Sequence, residues 1–267
     1  MYKTYRDTPR RVFSPCADLA IITAIAPGRD AHLAETAESV RELRAHLPIQ
    51  WILVWDGEPT SQVDGTDVIV YGRHGSGIAC TRNLALPHVA APLVTSLDAD
   101  DLIVVEGARA ARDRLVADPS LGWVGLSRTF LDGSPTKHAL ARQRIFAPGE
   151  LAESWSSPFL FHPNSVVMRS ELLCGQGGWP AVASNEDLGL VLRMSEEAAG
   201  VLIPDVLTRY RVWDRQEVAR SSYVEVKQLA FAYLETTLNA RRHASGRPDV
   251  NAPDDPGEAF GRQQVIP

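Results

Sequence analysis

The run over 19–26 is apolar but for Thr23, rich in isoleucine, and closed by Pro27-Gly28. A short, continuous, β-branched run bounded by turn residues predicts a buried strand. Asp30 then offers an N-cap, and Leu33, Ala37, Val40 and Leu43 recur with a 3.6-residue period, so a helix follows. Apolar runs at 50–55 and 67–71 predict two more strands, Gly75-Ser76-Gly77 opens a helix over 78–86, and 93–97 predicts a fourth strand. Strands alternating with helices predict an α/β fold with a mainly parallel, doubly wound sheet flanked by helices.

From Trp123 onward the pattern loosens. Gly, Ser and Pro between 127 and 158 predict long loops or a small excursion. A helix over 223–241 is predicted from the recurrence of Val226, Leu229, Ala230, Tyr233 and Leu234, the face that would dock on the sheet. The chain divides into a polar extension over 1–17, one domain over 18–244 with halves at 18–126 and 127–244, and a tail over 245–267. Pro248, Pro253, Asp254, Asp255 and Pro256 predict poor order in that tail. There is no internal repeat and no GxxxxGK[ST] phosphate loop.

A hydrophobic content of 45% over 267 residues is enough for one large core and excludes a wholly disordered chain. A net charge of −6 argues against nucleic acid as a partner. No apolar run approaches the ~20 residues needed to cross a bilayer, and no apolar segment follows the basic N-terminus as in a secretion signal. Cys16, Cys80 and Cys174 are odd in number and lack CxxC spacing, so a soluble protein of the reducing cytoplasm is expected.

In doubly wound sheets ligands gather beyond the carboxyl ends of the strands. Asp56 follows the second predicted strand and Asp98-Ala99-Asp100-Asp101 the fourth, so both open onto one crevice. Three carboxylates in four positions repel one another unless a cation or hydrogen-bond donors compensate them. Mg²⁺ or Mn²⁺ suits such oxygens, and Mg²⁺ fills most of its shell with phosphate oxygens and water, so a diphosphate ligand fits. An acidic turn that merely caps a helix is the plainer reading, and the strand-end position argues against it.

Three stretches occur in a telling order: Trp55-Asp56-Gly57, then Gly77 with Arg82-Asn83, then Leu97 through Asp101. Downstream come Asn164, Arg169, Gly177-Gly178-Trp179 and Asn185-Glu186-Asp187-Leu188. Over about 18–220 this combination resembles family 2 glycosyltransferases of the GT-A fold. The resemblance implies a nucleotide-binding N-terminal half fused to an acceptor-binding half, and inverting transfer of a sugar from a nucleoside diphosphate sugar to an acceptor hydroxyl. UDP-sugar is the expected donor, with GDP- and dTDP-sugars as alternatives, and the acceptor is a small molecule, natural product or cell-envelope glycan. It further implies that Thr23 and Ala24 line the base and ribose pocket, Asp56 contacts the base, Arg82 lies near the diphosphate and Asp98 near the ribose. Asp100 ligates the metal, Mn²⁺ or Mg²⁺. Asp187 is the catalytic base, with Glu186 orienting its surroundings or the acceptor.

On the acceptor side Gly178, Trp179 and His162 are the candidates, Trp179 as an aromatic face for a sugar ring. Core packing is the plainer role for any one of Trp155, Trp179 and Trp213. One departure stands out: many relatives place a metal-binding histidine near Trp213, and this chain offers only Asp214 beside it. A sugar-phosphate nucleotidylyltransferase and a non-catalytic nucleotide-sugar-binding protein are the rival readings. The first lacks its lysine-bearing glycine-rich loop.

Overall fold

A computed structural model describes residues 17–155, 159–213 and 223–253. The first half follows the alternation. Strand β1 (Leu19–Ile25) leads to helix α1 (Leu33–Arg44), then β2 (Ile49–Trp55), β3 (Val68–Tyr71), α2 (Ile78–Asn83) and β4 (Leu93–Ser96). Short β5 (Leu102–Ile103), helix α3 (Val105–Ala117) and the long β6 (Leu121–Phe130) complete this part. The second half adds β7 (Arg144–Phe146), α4 (Glu150–Glu153), β8 (Val166–Arg169), α5 (Ser170–Gly175), α6 (Glu186–Glu197), β9 (Ala199–Tyr210) and α7 (Tyr223–Ala244).

The described strands form one sheet in the order β3-β2-β1-β4-β8-β6-β9-β5, with β7 also on β9. β3, β2, β1 and β4 are mutually parallel, as are β6 and β9, and β8 runs antiparallel between the two groups. Six strands therefore share one direction, and β5, β7 and β8 oppose it. Burial on both faces explains the continuous apolar runs of β1 and β2. Leu19, Ile21 and Ile25 face the layer of α1 and α3, whereas Ala20 and Ile22 face that of α2, α6 and α7.

Several details depart from the sequence expectation. Asp30 does not cap α1, which starts at Leu33 behind His32; its carboxylate accepts a hydrogen bond from Thr60 at 2.7 Å. The stretch after β6 is less loose than predicted, because β7 and α4 form there. On α7 the docked face runs through Ala230, Phe231, Leu234 and Leu238, while Leu229 and Tyr233 are exposed. Helical periodicity admits two overlapping stripes, and the observed one sets the Phe231 ring 5.7 Å from that of Trp155, while Leu234, common to both, packs where Gly189 on α6 leaves room, an added Cβ there standing 2.4 Å from it.

The chain does not detach at 245. Val250 is buried, and its backbone N–H and carbonyl pair with the Asn239 side chain at 2.9 and 2.8 Å. Arg242, fully buried, bonds to Glu196, to Glu153 and to the carbonyls of Gly149 and Pro248. The rest of the tail, the N-terminal extension and Asp214 lie outside the described residues. Among the described residues no helix is long and apolar enough to cross a membrane.

Candidate active site

The carboxyl ends of β1, β2 and β4 lie on one edge of the sheet because these strands are parallel and in register. Asp56 follows β2, and its Oδ1 accepts the Ser76 N–H at 2.8 Å while Oδ2 accepts the Gly77 N–H at 3.3 Å. It thus fastens the glycine-rich loop in front of α2, a role its sequence position did not reveal. Thr23 and Ala24 do not open onto the crevice through their side chains. Thr23 is fully enclosed, its hydroxyl accepting the Trp51 indole N–H at 3.1 Å, and Ala24 is 6% exposed. Central strands bury both faces, so side chains within β1 belong to the layers.

Arg82, on the last turn of α2, organises the centre. Its Nη2 donates to Asp98 Oδ1 at 2.8 Å, and its Nη1 to Glu186 Oε1 at 2.6 Å and Asp187 Oδ1 at 2.9 Å. The arginine, expected near a diphosphate, is spent on three carboxylates from both halves of the chain. A guanidinium fork suits this, since its donors lie in fixed directions. Burial works against its charge, but Asp187, Glu186 and Asp98 outweigh burial and hold it protonated. Asp98 is fixed from its other side by Asn164, whose Nδ2 donates to Oδ2 at 2.8 Å and whose Oδ1 accepts from Ser96.

Asn185 stands before α6 with φ 60°, the only described non-glycine residue in the left-handed region. Asparagine tolerates that conformation better than most residues, and such strain collects at functional sites. It turns the chain so that Glu186 and Asp187 open the helix. Asn185 makes no side-chain cap bond, and both acids stand in the first turn, where the helix dipole also favours negative charge. The Glu186 side chain is 9% exposed and that of Asp187 17%. Burial, then the neighbouring Asp187 charge, push the Glu186 carboxyl up to about 7 against the pull of Arg82. Asp187 is raised as well, by burial and by Asp98, with Arg82 and Trp179 opposing.

Trp179 is only 2% exposed, so its ring does not present a stacking face. Its indole N–H donates to Asp187 Oδ1 at 2.7 Å, and Arg82 lies 5.7 Å from the ring centre. Trp179 therefore supports the carboxylate from within the core. Gly178 is likewise structural: an added Cβ would stand 2.1 Å from Asn83 Oδ1. Asn83 closes this contact by pairing with the Trp179 backbone at 2.8 and 2.9 Å. His162 is half-buried, and its Nδ1 accepts the Asn164 N–H at 3.2 Å, which leaves the ring hydrogen on Nε2. Burial first, then the Arg128 charge with smaller effects of His138, Lys137 and Arg82, hold its pKa well below the usual value, so it is neutral.

The acidic cluster separates into three different environments. Asp98 has both oxygens bonded. Asp101 is buried, with Oδ2 on Arg128 at 2.9 Å and Oδ1 on the Arg211 N–H at 3.0 Å. Burial, opposed by Arg128, takes Asp101 up to about 7. Asp100 Oδ2 accepts the Trp213 indole N–H at 2.6 Å, and Oδ1 has no partner from another described residue. Burial and Asp98 raise this carboxyl, with the Trp213 bond opposing. For Mg²⁺ or Mn²⁺ the chemistry fits, since the donor is a hard oxygen, but the described residues hold no group of three ligating side chains. Asp100 suits a cation that brings most of its shell with a phosphate ligand. The Asp98–Asn164, Asp100–Trp213 and Asn83–Trp179 pairs join residues 66, 113 and 96 positions apart, and no local pattern announces them.

The sheet order, the direction of its strands and the carboxylates at their ends are those of a GT-A type fold. No protein-family model matches the chain, and no curated protein matches it in sequence. Among solved structures it is similar to S. aureus TarS 1–349 in complex with UDP-GlcNAc, with a TM-score of 0.62 and 15% identity over 86% of this chain and 73% of that one. TarS 1–349 without that ligand gives 0.59 and 16%, covering 85% and 72%. The mannosyltransferase PcManGT of Pyrobaculum calidifontis, in complex with GDP-Man and Mn²⁺, gives 0.54 and 18%, covering 91% and 67%. At these identities the likeness is one of fold.

Proposed function

We propose that this chain is an inverting glycosyltransferase of the family 2 type that moves a sugar from a nucleoside diphosphate sugar to an acceptor hydroxyl. One observation carries the reading: Arg82 gathers Asp98 from the nucleotide-binding half and Glu186-Asp187 from the acceptor half at a single point. Structures of the same fold hold UDP-GlcNAc and GDP-Man, which supports a nucleotide sugar as the donor.

Asp187 is the base of this scheme. Arg82 and Trp179 both bond to its Oδ1, and Oδ2 accepts no hydrogen bond among the described residues. That oxygen takes the acceptor proton as the acceptor oxygen bonds to the anomeric carbon and the bond to the diphosphate breaks. A carboxyl raised above its ordinary range is a stronger base for a hydroxyl than an unperturbed one. Glu186, more deeply buried, orients Arg82. Asp98 holds the floor of the donor site, and Asp56 keeps the 72–77 loop in place at its rim. His162, as a neutral N–H donor, is assigned to the acceptor side. A divalent cation, held by Asp100 and the diphosphate, would neutralise charge on the leaving group. Cys80 and Cys174, both free and exposed, suit a reducing compartment such as the cytoplasm.

The test is a thermal-shift panel of UDP, CDP, GDP and dTDP with and without Mn²⁺. At 100 to 1,000 times its Kd, a true ligand stabilises by about 2.7 to 4.1 kcal/mol. One nucleoside diphosphate should stand above the others, and more so with Mn²⁺. A flat panel would overturn the assignment.

A further inference from the structure

Asp100 and Trp213 are 113 positions apart and meet through a single short bond from the indole N–H to Oδ2, at 2.6 Å. Indole nitrogen is a donor only, and a bond to an ionised carboxylate is among the stronger kinds. The ring is held on other sides too. The Arg29 guanidinium carbon lies 5.5 Å from its centre, and His32 meets it edge-on at 5.1 Å. The backbone on either side of Asp100 Oδ2 is also fixed: the Asp100 carbonyl accepts from Arg211 Nε at 3.0 Å, and the neighbouring Asp101 is tied to Arg128 and to the Arg211 N–H.

With Asp98 and Asp101 each bonded through both oxygens, the acidic cluster presents, among the described residues, one carboxylate oxygen without a partner from another residue, Asp100 Oδ1. Trp213 occupies one lone-pair direction of the other, Oδ2, and makes it the poorer ligand. The difference matters to an ion. Ca²⁺ collects six to eight oxygens and readily takes both oxygens of a carboxylate, whereas Mg²⁺ is content with single carboxylate oxygens, phosphate and water in an octahedron.

We propose that Trp213 is a positioning residue that biases Asp100 toward binding a cation through Oδ1 alone and so favours small octahedral divalent ions over Ca²⁺ at the donor site. This rests on the role given to Asp100 above. Partners of a metal-binding carboxylate commonly change ion affinity about 10- to 100-fold when removed.

The test is calorimetric binding of UDP and GDP in Mn²⁺, Mg²⁺ or Ca²⁺, which reads affinity and not turnover. The wild-type chain should bind its preferred nucleotide more tightly with Mn²⁺ or Mg²⁺ than with Ca²⁺. Trp213→Phe keeps an aromatic ring and removes the N–H. It should lower the Mn²⁺-to-Ca²⁺ affinity ratio by about 10-fold or more. Trp213→Leu, which deletes the same donor from a smaller side chain, should shift the ratio the same way, whatever either change does to the melting temperature of the free protein. In an Asp100→Asn background Trp213→Phe should have no further effect on the ratio. An unchanged ratio in both Trp213 variants, or a wild type indifferent to the choice of ion, overturns the inference alone. If neither UDP nor GDP binds with any ion, the reading of the donor site falls with it.

Discussion

Replacing Arg82 by methionine keeps much of the side-chain stem and removes the charge that three carboxylates share. Arg82 is 3% exposed as a side chain, and of its partners Glu186 and Asp187 are 9% and 17% exposed. Removing one member of a buried ion pair costs about 3–5 kcal/mol, chiefly because the partner is left uncompensated. Asp98, at 35%, is screened by solvent and adds little. The two enclosed carboxylates therefore set the size, and we expect a loss of about 3 kcal/mol at pH 8. The loss should depend on pH with a definite sign. The Glu186 carboxyl already sits at about 7 against an ordinary 4.5, and without Arg82, which lowers it, the folded value rises further. A group whose folded pKa is raised contributes stability that is present below its unfolded value and is lost as pH rises through the folded value. The variant should therefore be nearly as stable as the parent near pH 4.5 and fall behind it as pH rises through about 7, the parent's folded value. Urea unfolding at pH 5, 6.5 and 8 measures this, and Glu186→Gln in the same background should recover part of the deficit at pH 8. A deficit below about 1 kcal/mol at pH 8, or one equal at all three pH values, would refute the reasoning.

Two further outcomes are expected. Asp56→Ala strips the acceptor from the Ser76 and Gly77 amides, so affinity for UDP, CDP, GDP and dTDP should fall together as the loop loosens; a change confined to one base, measured by competition, would mark a direct base contact instead. Arg242→Ala takes the guanidinium from the buried Glu196, which keeps only Arg247 among the described residues, and from the carbonyls of Gly149 and Pro248, while the exposed Glu153 adds little, for a loss of about 3 kcal/mol. The melting temperature should drop by roughly 6–12 °C and residues 245–253 should become open to proteolysis, and an unshifted melt would count against the buried clamp.

Much of the fold was legible because its first half is periodic. The runs at 19–26, 50–55, 67–71 and 93–97 became β1 to β4 within a residue or two, since buried parallel strands carry continuous apolar sequence. The order of strands in space was not legible, and β8 slotting between β4 and β6 leaves no mark on its own four residues. For the site, strand-end position singled out Asp98 and Asp100, and the family resemblance singled out Glu186 and Asp187. Their partners were harder. Arg82 reads as a phosphate ligand until the structure shows it ringed by carboxylates, and Trp179 reads as a sugar platform until its burial turns it into a support for Asp187. A side chain's type tells what it is able to bond, whereas long-range packing decides what it meets. The stripe on α7 departs for a related reason, because Leu229 and Phe231 lie on different faces and contacts with distant residues such as Trp155 choose between them.

The central claim is that Asp187 takes a proton while a sugar leaves its diphosphate, and Asp187→Asn tests it most directly. The amide keeps the size and an acceptor for Trp179 and Arg82 but has no basicity. Release of UDP from UDP-GlcNAc and of GDP from GDP-mannose, followed under single-turnover conditions with water as acceptor, reads the chemical step. Donor affinity is measured on the same preparations. The account predicts an unchanged fold, donor binding close to that of the parent, and a rate lower by about 100-fold or more. A folded Asp187→Asn protein that releases the nucleotide at the parent rate would contradict it.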